Sequence, residues 1–166
     1  AQILNAVSAV TAERSVKIWT TSGEFVDPDL ARDYPLLVAS ANWHALAMWV
    51  GKLAPAGPAL LIDVGSTTTD LIPLLDGYPV SNGLTDLERL QSGELEYTGV
   101  GRTPLSAIAH SVPFRKRQCT IAAELFATTL DVWLRAGQIN ENPNDQETAN
   151  GKPRTKAATR DRLCRM

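Results

Sequence analysis

Leu60-Leu61-Ile62-Asp63-Val64-Gly65-Ser66-Thr67-Thr68-Thr69-Asp70-Leu71-Ile72 is the stretch whose reading decides the fold. It opens as a short apolar run, the pattern of a buried strand. Asp63 interrupts that run, an expensive place for a carboxylate unless a charged or hydrogen-bonding group meets it. Gly65 and Ser66 allow a tight reversal, and a second β-prone run leaves through Thr69, Leu71 and Ile72. Asp63 and Asp70 flank the turn on opposite strands, so both can converge on one mouth. Hydroxyls and backbone N–H groups at such a turn suit phosphate oxygens, while carboxylates suit a hydrated Mg²⁺ or a proton to be removed. The stretch reads as a phosphate-binding strand–turn–strand, with an ordinary hairpin carrying a threonine-rich tip as the structural alternative.

Composition narrows the classes around this motif. At 166 residues the chain is one ordinary domain, or one and part of another, and 44% hydrophobic content suffices for a sizeable core. A net charge of −2 points to neither nucleic acid nor a membrane surface as partner. No apolar run reaches transmembrane length, and the opening residues lack the charged-then-apolar pattern of a signal peptide, so none is expected. Cys119 and Cys164 are too few for a disulfide framework, and with only His44 and His110 beside them a zinc centre is not expected. The setting expected is a reducing cytoplasm. Ala1 to Val10 already read as helix, so the chain is expected to start inside a longer protein.

Outward from the hairpin, the pattern predicts elements in order. Val16–Thr20 and Glu24–Val26 read as strands around Thr21-Ser22-Gly23, and Asp27-Pro28 as a helix start. Leu36 to Val50 reads as one buried helix with Asn42, Trp43 and His44 inside it, His44 most simply as a satisfied core group. Gly51 ends that helix, and Pro55-Ala56-Gly57-Pro58 turns into the central strand. Thr85-Asp86-Leu87-Glu88 matches a capping box for a short helix ending near Gly93, which leaves Asp86 and Arg89 free. Gly93 to Pro104 reads as strand and loop. Arg102 is the phosphate clamp candidate there, with a surface ion pair to Glu94 or Glu96 as its plainer role. Ser106–Val112 is expected to be helical, Arg115-Lys116-Arg117 a solvated helix start, and 121–136 one long helix containing Glu124 and Asp131 and capped by Gly137. Asn140–Lys152 is an exposed loop, and the basic tail from Lys152 an exposed helix. Three segments result: 1–58 leading in, 59–139 as the phosphate-binding α/β core, and 140–166 as polar loop and basic helix.

With those residues in view, the chain resembles the hydantoinase/oxoprolinase-like branch of the actin, sugar-kinase and heat-shock ATPase superfamily. Asp63–Asp70 is similar to that branch's second phosphate motif. The resemblance runs on through Ala41-Asn42-Trp43, Thr85-Asp86-Leu87-Glu88-Arg89-Leu90, Gly93-Glu94-Leu95, Tyr97-Thr98-Gly99-Val100, Arg102-Thr103-Pro104, Ala123-Glu124-Leu125-Phe126-Ala127-Thr128 and Glu147-Thr148-Ala149-Asn150-Gly151. It is closest to a subgroup tied to tetrahydromethanopterin-linked one-carbon transfer, whose archaeal relatives act in methanofuran assembly as an aminomethylfuran-type synthase. Two departures stand out. The superfamily's earlier Asp-x-Gly-Gly hairpin is not seen, so a protein of only this length would hold half the usual cleft. Ser66 also stands where a second glycine is usual.

The resemblance implies an α/β, ribonuclease-H-like mixed sheet flanked by helices. It implies a synthase that displaces diphosphate from an activated furan methylene with an amine. Gly65, Ser66, Thr67, Thr68, Thr69 and Arg102 would bind phosphate, and Asp63 and Asp70 would serve catalysis and hold Mg²⁺ through water. Asn42, Asp86, Arg89, Glu94 and Glu124 are candidate substrate contacts. An ATP-dependent amidohydrolase or kinase-like ATPase is the alternative enzyme, and a non-catalytic assembly module the alternative class. The partner expected is a phosphorylated or diphosphate small molecule, with a homo-oligomer left open.

Overall fold

A computed structural model describes residues 2–11 and 14–166, and Ala1 of the expected opening helix lies outside them. Their backbone divides into two compact units: 1–63 with 70–95, and 64–69 with 96–166. The architecture is mixed α/β.

The first unit runs α1 (Gln2–Thr11), β1 (Ile18–Trp19), β2 (Phe25–Val26), α2 (Pro28–Asp33), α3 (Pro35–Val38), α4 (Asn42–Val50), β3 (Pro58–Val64), β4 (Thr69–Leu75), β5 (Tyr78–Pro79), α5 (Asp86–Ser92) and β6 (Leu95–Glu96). Antiparallel pairing of Ile18 with Val26 and of Trp19 with Phe25 confirms the first hairpin. Asp27 stands at the N-cap of α2 with Pro28 in its first turn. Its carboxylate binds Lys17 Nζ at 2.8 Å instead of the helix N–H groups. The single buried helix expected over 36–50 is two helices, because Ser40 adopts a left-handed φ of 58° between them. That conformation cannot continue an α-helix.

Strand β4 is the common strand of the main sheet, paired with β3, β5 and β6. Trp43 and Ala47 of α4 cover Ile72 and Leu74 of β4, with Ala59 and Leu61 of β3 beside them. Alternate residues of a strand share a face, so Asp63 and Asp70 lie on this covered side. The other side of β3 stays open, with Leu60 and Ile62 both more than half exposed. The apolar run therefore buries one face only. Helix α5 follows its sequence signals: Thr85 Oγ1 accepts from Glu88 N, Glu88 Oε2 accepts from Thr85 N, and Gly93 ends it at φ 73°.

The second unit contains α6 (Leu105–Ile108), β7 (Ser111–Phe114), β8 (Arg117–Thr120), α7 (Thr129–Arg135) and α8 (Lys156–Leu163). Three expectations are corrected here. Residues 111–114 are strand, not the end of a helix. Arg115 and Lys116 form the two-residue turn of the β7–β8 hairpin, both at positive φ, as the right-handed twist of a hairpin requires. The long helix expected from 121 is only α7, because Asp131 Oδ2 accepts from Thr128 N at 3.0 Å and starts the helix there.

The basic tail is not a uniformly exposed helix. Arg162 of α8 is completely buried, with its Nε donating to Asp131 Oδ1 at 2.7 Å. Thr159 Oγ1 donates to the same oxygen at 3.0 Å, and Arg162 Nη1 to Asn150 Oδ1 at 3.2 Å. This fully hydrogen-bonded pair ties α7 to α8 and to the 145–151 loop. Among the described residues, no helix is long and apolar enough to cross a membrane.

Candidate functional site

The turn between β3 and β4 belongs to the second unit. Gly65 N donates to Thr68 O at 2.8 Å, which puts Ser66 and Thr67 at the tip. The turn is then gripped through its carbonyl oxygens. Val100 N donates to Gly65 O, Gly101 N and Arg102 N both to Ser66 O, and Gly99 N to Thr67 O, at 2.8 to 3.1 Å. In a trans peptide the N–H points opposite to the C=O. With no cis bond in the described chain, the N–H groups of Ser66, Thr67 and Thr68 point away from the 99–102 segment. The negative ends of these peptide dipoles are sequestered, and the positive ends face outward. Successive N–H groups turned to one side in this way are the kind of donors that can receive an anion.

This close approach explains Gly99. A Cβ there would lie 2.5 Å from Ser66 C and Thr67 N, so only glycine lets the two backbones meet. The hydroxyls are accessible too. Ser66 is exposed and Thr67, Thr68 and Thr69 half-buried. Ser66 Oγ and Thr67 Oγ1 stand 3.5 Å apart, and Thr69 Oγ1 donates to Thr98 O.

Arg102 is tied to the turn by its backbone and sends its exposed side chain to Glu147, at 2.9 Å. Its ion-pair partner is thus neither Glu94 nor Glu96. Both side chains line a cavity of about 250 Å³ that also includes Gly101, Thr128 and Thr148. A guanidinium held this loosely can change partner, because a surface pair is worth at most about 1 kcal/mol.

The first unit holds the acids. The turn's Gly65–Thr68 bond, carried down the ladder, sets Val64 opposite Thr69 and Asp63 opposite Asp70. Asp63 is half-buried. Asp70 accepts from Arg89 Nη1 at 2.6 Å, with Arg89 completely buried. Arg89 Nη2 donates to Glu94 O at 3.0 Å, and its guanidinium carbon lies 4.0 Å from the centre of the Trp43 ring. The Glu94 carboxylate is itself occupied by Asn82 N at 2.7 Å. Arg89 and Glu94, expected as free substrate contacts, hold the sheet to α5.

The other candidates are dispersed. Asp86 is exposed and accepts from Ser40 Oγ, Asn42 is exposed at the start of α4, and Glu124 is exposed in the loop before α7. Sequence reasoning missed Gly99 as the partner of the turn and Glu147 as the partner of Arg102. The glycines at 99 and 101 were the available signal for the first.

His44 is buried beside Trp19, whose Nε1 donates to His44 Nδ1 at 3.2 Å. Burial holds its pKa below the ordinary 6.5, which favours the neutral ring, the form that can accept that bond. It belongs to the core.

The fit of Mg²⁺ differs between the acids. Among the described residues no three acidic, histidine or cysteine side chains cluster as a metal site. Mg²⁺ is commonly held by one or two carboxylates together with substrate phosphates and water. Asp63 suits that mode. Asp70 suits it less, because the Arg89 guanidinium already neutralises it.

The model of the hydantoinase/oxoprolinase family matches residues 1–164. A curated protein of Methanocaldococcus jannaschii, named (4-{4-[2-(gamma-L-glutamylamino)ethyl]phenoxymethyl}furan-2-yl)methanamine synthase, is 33% identical over 151 residues, 91% of this chain and 45% of its own length. A protein of the same name from Methanococcus vannielii is 44% identical over 97 residues, 58% of this chain and 43% of its own. The chain thus spans less than half the length of these relatives. Matched over nearly all its residues, the chain belongs to the hydantoinase/oxoprolinase family.

Proposed function

We propose that this chain forms the diphosphate-gripping part of a synthase that displaces diphosphate from an activated furan methylene, in one-carbon cofactor (methanofuran) biosynthesis. The observation that carries the reading is the turn at 65–69. The carbonyls of Gly65, Ser66 and Thr67 are held by 99–102, so the N–H groups of Ser66, Thr67 and Thr68 and the hydroxyls of the same three residues are the donors offered to an anion. The Thr69 hydroxyl, also expected to bind phosphate, is spent on Thr98 O. The relatives' name supports the reaction class.

In the reaction, the nucleophile's lone pair forms a bond to the methylene carbon. The bond from that carbon to the diphosphate oxygen breaks, and diphosphate leaves with the electron pair. The nucleophile's proton goes to a carboxylate, for which Asp63 is the candidate. The nucleophile is an amine or, as the phenoxymethyl group in the relatives' name suggests, a phenol hydroxyl. The turn N–H groups, the Thr67 and Thr68 hydroxyls and Arg102 stabilise charge as it builds on the leaving group. Asp63 would hold Mg²⁺ through water, and the ion would supply further charge neutralisation. Asp70, paired with Arg89, would orient the strand more than it carries protons. A ribonuclease-H-like arrangement and a cytoplasmic setting go with this reading.

The test is turnover by the full-length protein, read as diphosphate released from a furan-methyl diphosphate in the presence of the amine or phenol. Asp63→Asn is expected to lower kcat by roughly 10²–10⁴-fold, the usual contribution of a general base. Unchanged turnover in that variant sinks the assignment of Asp63. The description of the family as hydantoinase/oxoprolinase also carries a second reading, an amide hydrolase that would use ATP at the same turn. Release of ADP on adding ATP and an amide, with no diphosphate chemistry, would select it.

A further inference from the structure

A second cavity lies in the same unit as the turn. Helix α6, the β7–β8 hairpin, Val132 of α7 and the end of α8 line an open hollow of about 590 Å³, within the range of small-molecule pockets. Leu105, Ile108, Val112 and Ile121 contribute apolar walls, and no charged side chain lines it. Its remaining notable groups are the thiols of Cys119 and Cys164, both free and exposed. Such a lining rejects phosphate and accepts a neutral ring.

The cavity is mechanically joined to the turn. Gly99, whose N–H holds Thr67 O, accepts through its own carbonyl from Thr103 Oγ1 at 3.0 Å and Thr129 Oγ1 at 2.8 Å. Thr129 N donates to Thr103 O, and Leu105 N to Ala127 O. From the anion turn to the first residue of α6, which is also a wall of the cavity, the backbone is one hydrogen-bonded piece. The relatives' name carries a matching division: a furan methanamine extended by a phenoxymethyl arm.

We propose that this cavity is the aryl pocket of the synthase, holding the neutral phenyl ring of the arm with Cys119 and Cys164 in its wall. The assignment rests on the diphosphate-displacement reading. It adds a site and the class of group that fills it. The thiols are built-in reporters.

The experiment alkylates the full-length protein with N-ethylmaleimide and follows Cys119 and Cys164 by peptide mass spectrometry. Additions are none, 2-(phenoxymethyl)furan, or inorganic diphosphate. With the aryl ether at about ten times its Kd, both thiols are expected to react about tenfold more slowly, because the free fraction falls by that factor. Diphosphate alone should leave their rates unchanged. Ile108→Trp, at a half-exposed position in the wall, should abolish the protection while calorimetric binding of diphosphate and the circular dichroism spectrum stay as in the parent.

Three results overturn the proposal. The thiols react but the aryl ether gives no protection; protection comes from diphosphate alone; or the thiols are unreactive without ligand because another part of the protein, or a second copy, covers the cavity. Aryl protection without diphosphate binding would instead defeat the diphosphate reading and leave the pocket standing as an aryl site.

Discussion

Arg89→Met removes a cation that the first unit has built itself around, and its cost can be worked from the geometry. The guanidinium is completely buried, 2.6 Å from Asp70 and 3.0 Å from Glu94 O, with Trp43 stacked 4.0 Å away. Removing one partner of such a pair strands the other charge, which costs about 3–5 kcal/mol. Asp70 keeps 15% of its side chain exposed, so water can reach the orphaned carboxylate. That places the expected loss near the lower end, about 3 kcal/mol. The lost cation–π contact adds about 0.5–2 kcal/mol, less whatever the methionine recovers against the ring. Urea unfolding followed by tryptophan fluorescence reads the loss directly, and the double variant Asp70→Leu/Arg89→Met should recover most of it by removing the stranded charge. A loss below about 1 kcal/mol, the value of an exposed pair, with no coupling in the double variant, would refute the buried-pair account.

Three further outcomes follow from the same geometry. Gly99→Ala places a methyl group 2.5 Å from the turn backbone, so diphosphate affinity should collapse while the His44 environment, read by NMR, stays unchanged. Glu147→Gln frees Arg102 from its ion pair and should tighten diphosphate binding a few-fold, whereas Arg102→Ala should weaken it; titration calorimetry checks both signs. His44 has a lowered pKa in the folded chain because it is buried, so below the ordinary value of 6.5 the unfolded chain binds more protons. Stability should therefore fall as pH drops through 6.5 toward the folded value, seen as a falling Tm. In Trp19→Phe, which removes the bond donated to Nδ1, the NMR titration of His44 should move upward.

Local signals in this chain are legible where the physics is local. Thr85 and Glu88 close a capping box within four residues, and Gly93 ends the same helix. The hairpin at 65–68 is equally readable, because glycine and hydroxyl residues separate two β-prone runs. Reading failed where a neighbour in sequence does not decide. Ile121, Leu125, Thr128 and Val132 keep helical spacing, yet only the residues after Thr128 are helical, where Asp131 caps the backbone. Arg115 and Lys116 carry no turn signature, and the β7–β8 pairing imposes positive φ on both. Asp131 with Arg162, and Arg102 with Glu147, meet across 31 and 45 residues. A charge written in the sequence does not say whether its partner is buried beside it or solvated.

The central claim is that the turn at 65–69 grips diphosphate, and calorimetric titration of the full-length protein with diphosphate and Mg²⁺ tests it most directly. The account predicts saturable heat in the parent protein, weakened by at least about tenfold in Thr67→Val/Thr68→Val, where charge-assisted hydrogen bonds from two hydroxyls are lost. Equal binding by parent and variant, or no heat from a correctly folded parent, would contradict it.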